Sequence, residues 1–228
     1  MTKQQGMRPN LEPFGSDAPL VAVSDIISAG LLRTLQEAYQ LSWDGIHGYF
    51  HWVRVRQNGL RLAGMTGASA DVVELFAFLH DSQRCNDSID PDHGKRAADF
   101  IDSLKDAFVR LPDEQLQLLQ YACACHTDGL TEGDVTVQTC WDADRLDLGR
   151  VGIRPDVQRL CTSVARQLKI IEWACARNWA VRTCRSVRLT ASRPAVTHSE
   201  GIRQSPGLCT GERDAPGYPY CMNPKVKT

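Results

Sequence analysis

The stretch ADVVELFAFLHD, at residues 70–81, decides the fold that we predict for this chain. Its apolar residues cover nearly every side of a helix, which is typical of a helix buried at the centre of a fold. The length of the run and the lack of turn signals within it favour a helix over a strand. The run ends on His80 and Asp81. A charged carboxylate buried there is unfavourable unless a cation or hydrogen bonds meet it.

Apolar residues at helical spacing continue on both sides of this segment, and turn residues separate the runs. The predicted helices cover residues 24–40, 47–64, 69–81, 95–109, 112–126, 135–148 and 155–182, and a break within the last of them is left open. We expect Ser24 to cap the first helix, Pro112 to open the fifth and Gly149 to end the sixth. The chain is therefore predicted to be all-α, a compact single-domain bundle of about six to eight helices.

Prolines separate this helical unit from both ends of the chain. Three prolines lie in residues 1–20 and five in residues 186–228, whereas residues 21–185 contain three. We predict an irregular leader at 1–20, a folded domain at 21–185 and a tail of low order at 186–228. The tail is rich in Pro, Gly, Ser, Thr and Arg and has no helical periodicity.

The overall composition is that of an ordinary globular protein, with 43% hydrophobic and 23% charged residues. A formal net charge of −1 gives no reason to expect binding to nucleic acid or to an anionic membrane. No stretch approaches the ~20 apolar residues that span a bilayer. The first residues lack the basic and apolar regions of a secretory signal, so we expect a cytoplasmic protein.

Nine cysteines are scattered along the chain without a C-x-x-C pair. Disulfide frameworks are typical of even sets in short secreted chains, so we expect reduced, mostly buried thiols. Cys123 and Cys125, in YACACH, remain an alternative as metal ligands. A nucleophilic pair of Cys125 and His126 is not favoured, because neighbouring side chains on a helix diverge by about 100°.

Three short motifs on predicted helices form an ordered set. They are HWVRV at residues 51–55, FLHD at 78–81 and DADRLD at 142–147. Each motif alone is weak, but in this order they resemble the HD superfamily of metal-dependent phosphohydrolases over residues 45–150. That family is all-α, in agreement with the predicted helices. The stretch HDSQRCNDSIDPDHGKRAA, at 80–98, is similar to a small bacterial subgroup of it.

The resemblance implies a set of metal ligands. Carried over by motif, the set is His51, His80, Asp81 and Asp144. Asp147 would either support a ligand or replace Asp144. Some members of the superfamily hold two metals through extra histidines, and His93 and His126 lie in the matching interval, with Asp81 as the bridge. One and two ions both remain open. Imidazole with carboxylate suits divalent Mn, Fe, Zn, Ni or Co.

The resemblance also implies hydrolysis of a phosphate ester or anhydride of a small molecule, with a nucleotide as the expected substrate, by a metal-activated water. Arg54 and Arg84 are candidate cations for the phosphate. Several members have a water-activating glutamate three or four residues after the His-Asp pair, where this chain has Arg84 and Cys85. Asp87 is our candidate replacement. The alternatives are a degenerate domain that binds a nucleotide or metal without turnover and a non-catalytic helical scaffold.

Overall fold

The computed structural model describes residues 24–177, and within them the fold is all-helical, with no strand. The seven helices are α1 (Ala29–Ala38), α2 (Tyr49–Thr66), α3 (Ala70–Leu79), α4 (His93–Leu104), α5 (Asp113–Cys125), α6 (Val135–Arg145) and α7 (residues 168–177). The all-α prediction is confirmed. The predicted leader and tail lie outside the described residues. None of the helices in residues 24–177 has the length and apolar character needed to cross a membrane.

The predicted central helix is confirmed. α3 packs against α2, α5 and α6, and nearly all of its side chains are buried. The one acidic side chain among them, Glu74, accepts hydrogen bonds from Ser24 Oγ at 2.7 Å and from Arg56 Nε at 2.6 Å. α3 thus enters the core without an unpaired charge and brings the two residues that follow it, His80 and Asp81, to the middle of the bundle.

Two helix boundaries near the amino end of the bundle differ from prediction. The first helix begins at Ala29, because Ser28 Oγ accepts from the Leu31 N–H at 3.1 Å and serves as the N-cap. Ser24, the predicted cap, accepts from the Ile27 N–H in a separate turn. The second helix runs on past the predicted end, to Thr66.

The fourth helix is shorter at its carboxyl end than predicted. It starts at His93 and ends at Leu104, and the chain then turns through Asp106, whose φ is 64°. Val109 is still 1% exposed, because the turn folds it back onto the core. The prediction extended the helix to Val109, but a tight turn and not a helix buries this residue.

The segment after α6 also differs from prediction. α6 ends at Arg145, and Gly149 lies inside a short 3-10 helix, Leu148–Val151, instead of ending α6. The predicted helix from Pro155 is broken into a 3-10 turn, Val157–Arg159, a further turn, and α7. Residues 178–182 of that prediction lie outside the described part of the chain.

The Asp142 side chain explains the break. Its buried carboxylate accepts hydrogen bonds from the Cys161 N–H at 2.6 Å, the Thr162 N–H at 2.8 Å and the Thr162 hydroxyl at 2.8 Å. These bonds hold the chain against α6 in a turn. The returning segment forms a second apolar cluster of Leu62, Leu146, Leu160, Ala165, Ile170, Ile171 and Ala174.

We predict that Asp142→Ala lowers the free energy of unfolding by about 2–4 kcal/mol, because it leaves two buried N–H groups and a hydroxyl without an acceptor. Urea denaturation measures the change. Asp128→Ala, at an exposed aspartate, is the matched control and should change stability by less than about 0.5 kcal/mol. Equal effects in the two variants would contradict this role for Asp142.

Candidate metal centre

The helices bring all six predicted ligands into one buried cluster. They are His51 in α2, His80 and Asp81 directly after α3, His93 at the start of α4, His126 directly after α5, and Asp144 in α6. Five of them are buried, and the side chain of Asp144 is 19% exposed. Because several helices meet here, the six ligands come from five separate parts of the chain, with His80 and Asp81 adjacent.

The Asp81 carboxylate divides the cluster in two. Its Oδ2 atom lies 3.6 Å from His51 Nε2 and 3.7 Å from His80 Nε2. Its Oδ1 atom lies 3.0 Å from His93 Nε2 and 3.6 Å from His126 Nε2. Each oxygen of this one carboxylate therefore faces its own pair of imidazoles.

Asp144 adds a second carboxylate, which lies nearest to His51 and His80. Its Oδ1 atom is 3.4 Å from His51 Nε2 and 3.8 Å from His80 Nε2. Groups whose ligand atoms all lie within 4.8 Å of one another are His51–His80–Asp81, His80–His126–Asp144 and Asp81–His93–His126. The described residues thus contain a buried His/Asp cluster that could hold a metal ion.

The outer nitrogens of the four histidines are all held by acceptors. His51 Nδ1 meets Asp147 Oδ2 at 2.7 Å, His80 Nδ1 the Phe76 carbonyl at 3.1 Å, His93 Nδ1 the Asp90 carbonyl, and His126 Nδ1 the Cys123 carbonyl at 2.7 Å. A carbonyl only accepts, so Nδ1 of His80, His93 and His126 carries a proton, and in the neutral form of each ring Nε2 has the lone pair. Metal-binding histidines are held from behind in this way.

The inner nitrogens face each other in pairs. His51 Nε2 and His80 Nε2 are 3.1 Å apart, and His93 Nε2 and His126 Nε2 are 2.9 Å apart. Two lone pairs at this distance repel unless a cation lies between them. Two nitrogens that bind one ion at about 2.1 Å each, at nearly a right angle, are about 3.0 Å apart. The spacing of the donors therefore fits a divalent metal ion.

The pKa values favour a metal over a proton on the first pair. Burial, with the nearby charge of Arg150, lowers the pKa of His51 well below its usual range. Burial lowers the pKa of His80 to about 4, although Asp81 opposes the shift. Both imidazoles are neutral near pH 7, so their lone pairs are available to a cation.

The carboxylate between the pairs stays ionised. Burial on its own raises the pKa of Asp81, but the charge of His80 and hydrogen bonds from His126 and other histidines outweigh it. The pKa of Asp81 therefore lies well below its usual range. For His126, burial opposes the charged form, but the hydrogen bond to Asp81 raises its pKa. An ionised carboxylate among these imidazoles attracts positive charge, either a metal ion or the proton of His126.

Asp147 supports His51 and does not replace Asp144. Its carboxylate holds His51 Nδ1 and also receives Arg54 Nε at 2.7 Å and Arg54 Nη2 at 3.0 Å. Burial raises the pKa of Asp147, although Arg54 lowers it. Because both of these Arg54 nitrogens bind Asp147, the guanidinium lies behind His51. Its role as a phosphate partner stays a prediction.

Arg84 and Asp87, the other predicted catalytic residues, lie at different depths. Arg84 is buried and is held by the carbonyls of Asn86 at 3.2 Å and Ser88 at 2.8 Å. Its Nη1 atom is 3.6 Å from Asp81 Oδ1, so its charge borders the cluster. Asp87 is exposed and has no hydrogen bond or ion pair to any residue in 24–177. The catalytic roles of both residues stay predictions.

The sequence analysis assigned no role to two residues at the cluster. His47 Nδ1 lies 2.9 Å from Asp81 Oδ2, just before α2 and four residues ahead of His51. Arg150 donates to the backbone carbonyls of Ile46 and Asp147 and influences His51 through its charge. The H-x-x-x-H spacing was a signal for His47. Nothing local in the sequence singles out Arg150.

The alternative cysteine ligands are not part of the cluster. Cys123 and Cys125 are buried, and neither belongs to a metal-binding group among the described residues. Burial raises the pKa of the Cys123 thiol, which disfavours the thiolate that a metal binds. Cys123 contributes through its carbonyl, which holds His126.

No protein-family model, no curated protein and no solved structure matches this chain.

The contact between α4 and α5 sets the distance between His93 and His126, and Gly94 makes that contact possible. A Cβ atom on Gly94 would lie 2.4 Å from the Cys123 carbonyl oxygen and 3.1 Å from His126 Nδ1. We predict that Gly94→Ala forces the two helices apart and lowers the free energy of unfolding by about 1–3 kcal/mol. Urea denaturation of the purified protein measures this.

Gly64→Ala is the matched control, because a Cβ atom on this α2 glycine meets nothing within 4 Å. We expect it to raise stability by about 0.5–1 kcal/mol through helix propensity. If Gly94→Ala were as stable as Gly64→Ala, the close approach of α4 and α5 would not be as described.

Proposed function

We propose that this chain is a metal-dependent phosphohydrolase of the HD type, which acts on a phosphate ester or anhydride of a small molecule. We expect the small molecule to be a nucleotide. One observation carries the proposal. Four imidazole Nε2 atoms and two carboxylates converge on a buried position, while an acceptor holds each Nδ1 from outside. Such an arrangement serves a cation, and the ligand order along the chain agrees with the HD motifs.

We propose two ion positions that share Asp81. The first would use His51, His80, Asp81 Oδ2 and Asp144, and the second Asp81 Oδ1, His93 and His126. Divalent ions bound there would supply Lewis-acid chemistry, lowering the pKa of water and neutralising charge on the phosphoryl oxygens. The described carbonyl and carboxylate acceptors would keep the imidazoles oriented throughout.

The exposure of the ligands indicates the side from which a substrate would enter. The Asp144 side chain is 19% exposed, compared with 0% for His51 and 3% for Asp81. Arg150, at 10% exposed, would place positive charge beside a phosphoryl group on the side of Asp144, and Arg84, at 8% exposed, would place it beside Asp81 Oδ1. Both guanidinium groups are fixed by backbone carbonyls, so they would bind an anion with little further loss of entropy.

A second candidate function is binding of a nucleotide or metal without turnover. One observation favours it: Asp87, the residue expected to replace the missing glutamate, is exposed and contacts none of the described cluster residues. Metal binding is common to both candidates. Hydrolysis separates them.

We predict that the purified chain, loaded with Mn²⁺ and desalted, retains about two equivalents of metal by elemental analysis. His126→Gln should retain about one, because it disables the second position only, and Asp81→Asn should retain almost none. Asp92→Asn is the matched control, since its side chain is 64% exposed at the start of α4. If no variant differs from the wild type, or if no metal binds under any loading, the phosphohydrolase proposal fails.

We predict that the Mn²⁺-loaded chain releases inorganic phosphate from p-nitrophenyl phosphate and from AMP, and that Asp81→Asn lowers this rate by about a thousandfold or more. Phosphate release is followed by a colorimetric assay, with Asp92→Asn beside it as the variant that keeps the wild-type rate. Metal bound in the expected amount but no release from either substrate would favour the non-catalytic candidate.

A further inference from the structure

A cavity of about 290 Å³ opens beside the metal cluster. His126 belongs to both, since it lines the cavity and its Nε2 atom lies 3.6 Å from Asp81 Oδ1. Arg145, the residue after Asp144 on α6, lines the cavity as well. The cavity therefore begins at His126, the one cluster residue that lines it.

The cavity is rich in positive charge. Arg145, Arg154 and Arg159 line it, together with a single acid, Asp156. The Asp156 carboxylate accepts from the Gln158 N–H at 2.9 Å, as the cap of a 3-10 turn. None of the three arginines forms an ion pair with a residue in 24–177. The cavity thus has three guanidinium groups and one carboxylate, and that carboxylate caps a 3-10 turn.

The three arginines are prepared for an anion in different ways. Backbone oxygens fix the Arg145 guanidinium, with Arg159 O at 2.6 Å and Leu130 O at 2.7 Å. These neutral acceptors hold its position and leave its charge uncompensated. Arg154 and Arg159 are exposed, and their side chains make no hydrogen bond to a described residue. They can therefore turn toward a bound anion and donate to it.

The size of the cavity restricts what it holds. About 290 Å³ is near the lower limit of ligand pockets, so it suits one phosphate group with part of a sugar and not a whole nucleotide. Leu148 and Ile153 provide an apolar wall for the carbon part. A substrate with a single phosphate at the metal cluster would leave these arginines without an anionic partner.

We infer that this arginine pocket binds a second anionic group of the substrate, so that the chain prefers compounds with two phosphate groups, such as a nucleoside diphosphate or bisphosphate, over monophosphates. One phosphate lies at the cluster and the other among Arg145, Arg154 and Arg159. This inference rests on the proposed function for the position of the first phosphate. It adds the substrate class, which the cluster alone does not determine.

The test compares two analogues that resist hydrolysis and differ by one phosphate group. They are the phosphonate analogue of AMP and α,β-methylene ADP. Isothermal titration of the full chain, loaded with Mn²⁺, should show about tenfold tighter binding of the ADP analogue. Arg154→Gln with Arg159→Gln should reduce that ratio to about twofold. Both side chains are exposed, so this variant should fold, which circular dichroism checks. Arg33→Gln, at an exposed arginine of α1, should keep the tenfold ratio.

Equal affinities for the two analogues in the wild type would overturn the inference, as would an unchanged ratio in the double variant. The two proposals fail separately. Hydrolysis of p-nitrophenyl phosphate without a preference for the ADP analogue would support the phosphohydrolase proposal and overturn the inference about the arginine pocket. A preference for the ADP analogue that depends on the arginines, without hydrolysis, would support the inference about the arginine pocket and overturn the proposed catalysis.

Discussion

One buried carboxylate, that of Asp81, shares its two oxygens between two pairs of imidazoles, and the arrangement of the helices follows from bringing those imidazoles to it. α3 ends one residue before His80, α4 begins at His93 and α5 ends one residue before His126. At the end of a helix a side chain can point into the core, and the unpaired backbone carbonyls of the last turn can accept a hydrogen bond from it. The Phe76 and Cys123 carbonyls, from the last turns of α3 and α5, orient the rings in this way.

The cluster also has an electrostatic requirement. The Nε2 atoms face each other at 3.1 Å and 2.9 Å, the His51 and His80 rings are neutral near pH 7, and the ionised carboxylate of Asp81 lies between the two pairs. Such a group of acceptors is satisfied by cations. Binding of a metal to the folded chain and not to the unfolded one would add to stability, so folding and metal binding are expected to be coupled. Asp147 holds Arg54 on its outer side, where the charge of the guanidinium is paired away from the Nε2 atoms of the cluster.

The sequence predicted the central elements and missed those that depend on distant contacts. The sequence predicted the buried helix α3 and the His80–Asp81 pair that follows it, because a helix that is buried on all sides consists almost entirely of apolar residues. His93 and His126 could be proposed as partners only through the family resemblance, since no local spacing joins α4 to α5. Asp142 was readable in the sequence only as part of a motif. Its hydrogen bonds to Cys161 and Thr162, which fix where the segment after Pro155 is broken, join residues that are distant in the chain. The arginine pocket combines α6 with residues 154–159, a juxtaposition that only the fold creates.

Anomalous X-ray diffraction from crystals of the Mn²⁺-loaded chain, with data on both sides of the manganese absorption edge, tests the central claim most directly. The account predicts anomalous peaks in contact with Asp81, one on the side of His51 and His80 and one on the side of His93 and His126. Manganese bound elsewhere in the crystal, with no peak within bonding distance of these Nε2 atoms, would contradict it. The cluster would then be a hydrogen-bonded core of an all-helical protein.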